Sequence, residues 1–245
     1  MSTLTPPPGF FEQCQTIGVS VSTEQARLLA AYLDLLLETN KQFNLTAIKE
    51  PLLAWDRHIF DSLSIVPAAM ASPALSEPVT SIIDVGSGGG LPGIPLAIML
   101  PDVGVTLLEA TGKKARFLRT VADTLNLRNI AVLNDRAEVV GQDKAHRQRY
   151  DVATARAVGP LNVLLEFTMP LVKVGGRVLA MKGKAAETEL EQAADALMLL
   201  GGGEVNVYEA LPGFEDEAVI IEILKTQQTP RAYPRRPGTP KIEPL

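Results

Sequence analysis

In the stretch IIDVGSGGGLPGIP, Ile82 to Pro95, an acid stands directly before a run of glycines. Glycines in this place let the chain turn tightly and bring backbone N–H groups close to a ligand. Gly88, Gly90 and Gly93 match the spacing of the dinucleotide fingerprint, but they begin two residues late. That fingerprint needs its first glycine straight after a strand, where a pyrophosphate meets the helix N-terminus. Gly93 moreover follows Pro92, a residue suited to the first turn of a helix. Anchored on the strand, the pattern is Asp84-x-Gly86-x-Gly88-x-Gly90; it directs the charge of Asp84 at the pocket, the alternative being that Asp84 is only a helix-capping or loop residue. Such a charge opposes a pyrophosphate and favours an ammonium group. S-adenosylmethionine carries an ammonium, a sulfonium and a ribose but no phosphate, so it is the expected ligand ahead of a nicotinamide dinucleotide. Glu109 closes the next apolar run, VGVTLLE, and is placed to accept from both ribose hydroxyls, a feature shared with nicotinamide sites. Arg156 closes YDVATAR and points into the same cleft. It can bind a donor carboxylate, a phosphate or a guanine edge, or it can pair with Asp84 or Glu109 and shape the pocket.

What is missing narrows the methyl acceptor. No Asn/Asp-Pro-Pro-aromatic motif, used to grip an exocyclic amine, follows Arg156; the sequence there is Ala157-Val158-Gly159-Pro160. Methylation of pyrimidine carbon 5 needs a nucleophilic cysteine. The single cysteine, Cys14, lies far upstream between two glutamines and reads as a small apolar filler. Atoms that are already nucleophilic remain, guanine N7 among them. Its lone pair is free at neutral pH, so alignment and exclusion of water suffice. The one candidate base is His58, in Arg57-His58-x-x-Asp61, which reads equally as a surface or hydrogen-bonded packing cluster.

These residues need a scaffold, and the pattern along the chain supplies one. Residues 22–66 read as helices: Ser22 and Gln25 form a capping box before TEQARLLAAYLDLLLETN, and LLAWDRHIFDSLSIV forms a second helix. ASPALSEP reads as a linker. Five strand candidates then alternate with helices, the last helix, ETELEQAADALMLL, ending at Gly201. VNVYEAL and AVIIEIL, separated by PGFEDE, close the series as an antiparallel hairpin. The expected fold is α/β, a doubly wound and mostly parallel seven-stranded sheet with an N-terminal helical extension. The expected divisions are 1–78, 79–228 and 229–245; the last, RAYPRRPGTPKIEPL included, is too rich in proline for regular structure.

The chain has 245 residues, is 46% hydrophobic and 21% charged, and carries a formal net charge of -5. Its apolar runs are too short to span a bilayer, and its start lacks the basic and apolar regions of a signal peptide. One cysteine and two distant histidines argue against a disulfide or a zinc site and suit a reducing cytoplasm. Lys225, Arg231, Arg235, Arg236 and Lys241 are opposed only by Glu243, so an acidic body carries a basic tail.

The motifs NLTAI (44–48), RHIFDSL (57–63), DVGSGGGLPGIPLAI, LLEATGKKARFL, DRAE, ARAVGPL, AMKG and YPRRPGTP occur in order from residue 44 to residue 240. Together they resemble the RsmG (glucose-inhibited division protein B) family of bacterial small-subunit ribosomal RNA guanine-N7 methyltransferases. The resemblance implies a Rossmann-like class I methyltransferase fold, S-adenosylmethionine as cofactor and 16S rRNA as partner, with guanine 527 as the target. It implies donor contacts at Gly86, Leu91, Glu109, Ala110, Thr111, Ala137, Glu138 and Arg156. The rRNA substrate gives the basic tail a meaning: Arg231, Arg235 and Arg236 with Tyr233 are candidates to grip RNA, and Lys113 and Lys114, with Arg116 and Arg119, either extend the patch or form an ordinary solvated helix face. On this reading the tail serves RNA more than the methyl donor, and the protein is expected to be a cytoplasmic monomer without metal. The family often has Asp at the position of Glu109, and either acid can hold a ribose. A non-catalytic, donor-binding assembly protein is the alternative, kept open by the missing general base.

Overall fold

In the computed structural model of the chain, residues 4–71, 78–211 and 218–245 are described. Residues 1–3, most of the predicted linker (72–77) and the segment PGFEDE (212–217) lie outside them. Seven strands, β1 (Ser81–Val85), β2 (Gly104–Leu108), β3 (Ile130–Leu133), β4 (Tyr150–Arg156), β5 (Val172–Lys182), β6 (Gly202–Glu209) and β7 (Val219–Lys225), form one sheet. Its order is β3-β2-β1-β4-β5-β7-β6, parallel except for β7, which runs antiparallel to both neighbours. This is the doubly wound sheet that the sequence pattern predicts. Strand order reverses between β1 and β4, so the crevice that takes a ligand opens at their carboxyl ends, where Asp84 and Arg156 lie.

Successive residues of a strand face opposite sides, and that period divides the interior into two cores. Ile82, Val105, Leu107, Val152 and Leu179 face one of them. Ile83, Leu108, Ala153 and Val178 face the other, beneath the helices Leu161–Thr168 and Ala194–Leu200. The first core is shared with the N-terminal helices. Helix Thr23–Asn40 opens on the expected capping box, Ser22 with Gln25, and lays Leu29, Leu33 and Leu36 on one stripe. Burying each such side chain contributes about 1.5–3 kcal/mol relative to exposure. The same helix reaches the glycine turn, where the Tyr32 hydroxyl donates to the Gly89 carbonyl at 2.8 Å.

Several local expectations need correction. A helix not read from the sequence, Phe10–Thr16, buries Phe10 against Trp55 at 5.0 Å between ring centroids. Its Cys14 is fully buried, and burial pushes the thiol up to about 12, so it is held protonated. The second predicted helix is regular only at its ends, Pro51–Ala54 and Asp61–Leu63, with a π-helical run Trp55–Phe60 between them that carries Arg57 and His58. Such wide turns recur at functional sites. The helix before Gly201 is split at Ala193 into Ala186–Gln192 and Ala194–Leu200, with Gly201 as a left-handed cap at φ 90°. The proline-rich tail is not wholly irregular, because Thr239–Ile242 makes a turn of helix.

Candidate active site

The turn after β1 bends through three glycines with positive φ: Gly86 (75°), Gly88 (57°) and Gly90 (99°). These are the glycines of the pattern anchored on the strand. The helix begins at Gly93, with Pro92 as its cap rather than its first residue. Asp84 is fully buried beneath the turn. Its Oδ2 accepts from the Gly93 N–H at 3.2 Å, while Oδ1 has no hydrogen-bond partner among the described residues. Burial raises its carboxyl to about 7. Asp84 therefore ties the turn to its helix, as a helix-capping acid would, and is not among the residues that line the cavity beyond the turn.

Glu109 shapes the floor of that cavity. Its Oε2 accepts from Gly88 N–H at 2.9 Å and its Oε1 from Thr111 N–H at 2.7 Å. Asn134, a residue the sequence reading passed over, donates to the carbonyls of Glu109 and Ala110 and fixes the segment after β2. The cavity, about 370 Å³, opens above the ends of β1 and β2. Its wall carries three carboxylates, Glu109, Asp135 and Glu138, against two cations, Arg136 and Lys241. Gly86 keeps one side clear, because a Cβ there would lie 2.9 Å from Val158 Cγ2.

A second cleft, about 600 Å³, lies on the other side of the β4 end and meets the first at Ala157, whose φ is 56°. Here Arg156 donates to Asp61 Oδ2 at 2.6 Å and to the Arg57 carbonyl at 3.0 Å. It also donates to His58 Nδ1 at 3.3 Å. A guanidinium has no acceptor, so His58 accepts at Nδ1 and carries its proton on Nε2, which donates to Thr46 Oγ1 at 2.7 Å. Burial, with Arg156 close by, lowers His58 to about 4, so the ring is neutral. Burial raises the Asp61 carboxyl more than Arg156 lowers it. Lys182 donates to Glu189 Oε2 at 2.7 Å and to the Gly159 carbonyl at 2.6 Å, bracing the turn after β4.

The family profile described as rRNA small subunit methyltransferase G matches residues 25–216. The chain belongs to the rRNA small subunit methyltransferase G family. A member from Leuconostoc citreum is 41% identical over 236 residues, covering 96% of this chain and 98% of its own. One from Chloroflexus aggregans is 44% identical over 230 residues, covering 93% of each. Solved structures share the fold. An O-methyltransferase from Bacillus cereus in complex with SAH superposes with a TM-score of 0.54 at 16% identity, covering 80% of this chain and 91% of that one. The CurJ carbon methyltransferase gives 0.55 at 13% identity, covering 85% and 72%.

In this member of the rRNA small subunit methyltransferase G family, the expected donor residues divide into two groups. Gly86, Glu109, Ala110, Thr111, Ala137 and Glu138 line the first cavity. Asp84, Gly88, Leu91 and Arg156 do not: Asp84 and Leu91 are buried below it, Gly88 reaches it through Glu109, and Arg156 lines the second cleft. The partner of Arg156 is Asp61, not Asp84 or Glu109. Among the RNA candidates, Arg231, Arg236 and Lys113 are exposed, Lys114 and Tyr233 are half-buried, and Arg235 is committed to the buried Glu166 at 2.6 Å. That pairing takes up Nε and Nη2 of Arg235, whose side chain remains 23% exposed. Lys241 and Phe167, which the sequence reading did not place, complete the wall of the first cavity, and no spacing in the sequence marks them. Among the described residues no group of three or more His, Cys, Asp or Glu could hold a metal ion, and no helix is long and apolar enough to cross a membrane.

Proposed function

We propose that this chain is a cytoplasmic rRNA methyltransferase that uses S-adenosylmethionine to methylate guanine N7 in 16S rRNA, at guanine 527. The carrying observation is the pair of clefts joined at Ala157: one is acidic and nucleoside-sized, and the other is open and lined by Arg156 and Asp61. The cavity suits the donor chemically. Three carboxylates against two cations favour a cationic, unphosphorylated nucleoside over a pyrophosphate. Each oxygen of Glu109 has spare lone pairs for ribose hydroxyls beyond its two backbone bonds. The donor supplies an electrophilic methyl on a cationic sulfur.

The residues of the second cleft bind and orient the base. Arg156 offers N–H groups to the guanine carbonyl, and Asp61 accepts from the N–H groups of its pairing edge. N7 gives its own lone pair to the methyl carbon as the carbon–sulfur bond breaks and its electrons return to sulfur, so no proton moves and no general base is required. This agrees with a His58 that is buried and neutral, with a pKa of about 4. The positive charge that the donor loses appears on the methylated ring, in a cleft where Asp61 is paired with Arg156 and Glu189 with Lys182.

Radiolabelled donor with small ribosomal subunits lacking the modification tests this reading. Label in 16S rRNA, with a single enzyme-dependent cleavage after borohydride and aniline, is the expected result. Label without cleavage would move the reaction to another atom. Donor binding without any label would leave the assembly-protein alternative.

A further inference from the structure

The segment after β7 is built into the body of the protein. Arg147 donates to the carbonyls of Thr229, Pro230 and Tyr233 at 2.7–3.0 Å. Gln142 donates to those of Arg231 and Pro234. Arg235 meets the fully buried Glu166 through its backbone N–H, Nε and Nη2. Asn162 donates to the Leu245 carbonyl at 2.9 Å. Pro234 lies so close to Gly141 that a Cβ there would fall 2.8 Å from its Cγ. A segment that only carried charge to RNA would need none of these ties; exposed termini are usually loose unless something holds them.

What the ties hold is a contact at the donor cavity. The Gly238 N–H donates to Glu138 Oε1 at 2.9 Å, and Lys241 reaches the same cavity wall. Glu138 is 5% exposed and lines the cavity. Its Oε2 has no hydrogen-bond partner among the described residues and is not sealed from the cavity as an orphan atom.

We propose that the C-terminal strap, residues 235–241, is a positioning element of the donor site: Gly238 fixes one oxygen of Glu138 so that the other accepts from the 6-amino group of the donor's adenine. This rests on the reading of the cavity as an S-adenosylmethionine site. The strap then sets selectivity for an adenine over a hypoxanthine ring, because the latter presents a carbonyl where Glu138 requires a donor.

Calorimetry on the full-length protein with S-adenosylhomocysteine and S-inosylhomocysteine tests it. The native protein is expected to bind the adenosyl compound at least about tenfold more tightly, the loss expected when a carbonyl faces a carboxylate. Gly238 has φ 93° and no atom within 4 Å of an added Cβ, so Gly238→Ala acts on backbone conformation and not through a clash. It is expected to weaken S-adenosylhomocysteine by about five- to tenfold and to shrink the preference between the two compounds. Gly238→Asn, which tolerates the left-handed region, is expected to keep both. In a Glu138→Gln background, Gly238→Ala should cost little more. Equal weakening of both compounds, or no weakening, would overturn the positioning role while leaving the donor site intact. Failure of the native protein to bind either compound would overturn the donor reading, and the strap's role with it.

Discussion

The Arg156 guanidinium, at the end of β4, meets the Asp61 carboxylate at 2.6 Å across 95 residues of sequence. The two side chains are only 19% and 18% exposed. A strand residue selected by its place at the crevice is thus locked to a helical residue from the N-terminal region. The pair forms one wall of the second cleft and leaves the donor cavity to other residues. Arg156→Ala leaves Asp61 without its cation, at an expected cost of about 1–3 kcal/mol in urea unfolding. The double substitution Arg156→Ala/Asp61→Ala should cost clearly less than the sum of the single changes. Additive costs would show that the pair is not coupled. Affinity for S-adenosylhomocysteine should change little in Arg156→Ala, while rRNA methylation falls; a large loss of donor affinity would return Arg156 to the donor site.

Glu109 is the acid on which the proposed donor cavity depends. Glu109→Ala removes the acceptor for two backbone N–H groups and for the ribose. The expected loss of S-adenosylhomocysteine affinity is about 1.5–3 kcal/mol, on the order of 10–100-fold by calorimetry. Glu109→Asp should retain more affinity than Glu109→Ala. If both bind as the native protein does, the ribose lies elsewhere.

Asp84 gives a pH signature. Its carboxyl is raised from 3.8 to about 7 by burial, so between those values the native state holds a proton that the unfolded chain has lost. Its stabilising contribution is complete below about 3.8 and is lost as pH rises through about 7. Asp84→Asn should therefore gain stability relative to the native protein between pH 5 and pH 8, measured as the difference in urea midpoints. A constant difference across that range would mean that Asp84 is ionised throughout.

His58 gives the opposite sign. Its pKa is lowered from 6.5 to about 4, so its contribution is complete above about 6.5 and is lost as pH falls through about 4. The His58 ring should stay neutral by NMR from pH 8 down to about pH 5, with the proton on Nε2. A midpoint near 6.5 would show the ring to be solvated and free of Arg156.

The cations of the C-terminal segment should separate by partner. Arg231→Ala/Arg236→Ala should weaken rRNA binding and lower its salt slope by about one per lost phosphate contact, with donor affinity unchanged. Arg235→Ala should instead destabilise the fold, because it strands the buried Glu166. Unaltered stability in Arg235→Ala would show that the ion pair is dispensable.

The sequence by itself determined the sheet and the place of the crevice. Alternating apolar strands and helices, the capping box at Ser22 and the left-handed cap at Gly201 are local signals, each carried by a few adjacent residues. Glycines at 86, 88 and 90 announced a tight turn, because positive φ is a property of the residue type itself. Glu109 was legible for the same reason, since it follows its strand directly. Only the tertiary structure decided which way each charged group faces. The sequence leaves Asp84 either as a donor contact or as a helix cap, and the Gly93 N–H that its carboxylate accepts comes from tertiary placement; the partner of Arg156 is likewise set by the π-helical run that brings Asp61 beside it. The basic C-terminal segment reads as an RNA grip by composition, and composition does not show that Glu166, Glu138 and Arg147 also hold it against the body. Backbone conformation follows from short-range sterics that a sequence displays. The partner of a charge is chosen by packing between elements up to a hundred residues apart, and no local pattern records that choice.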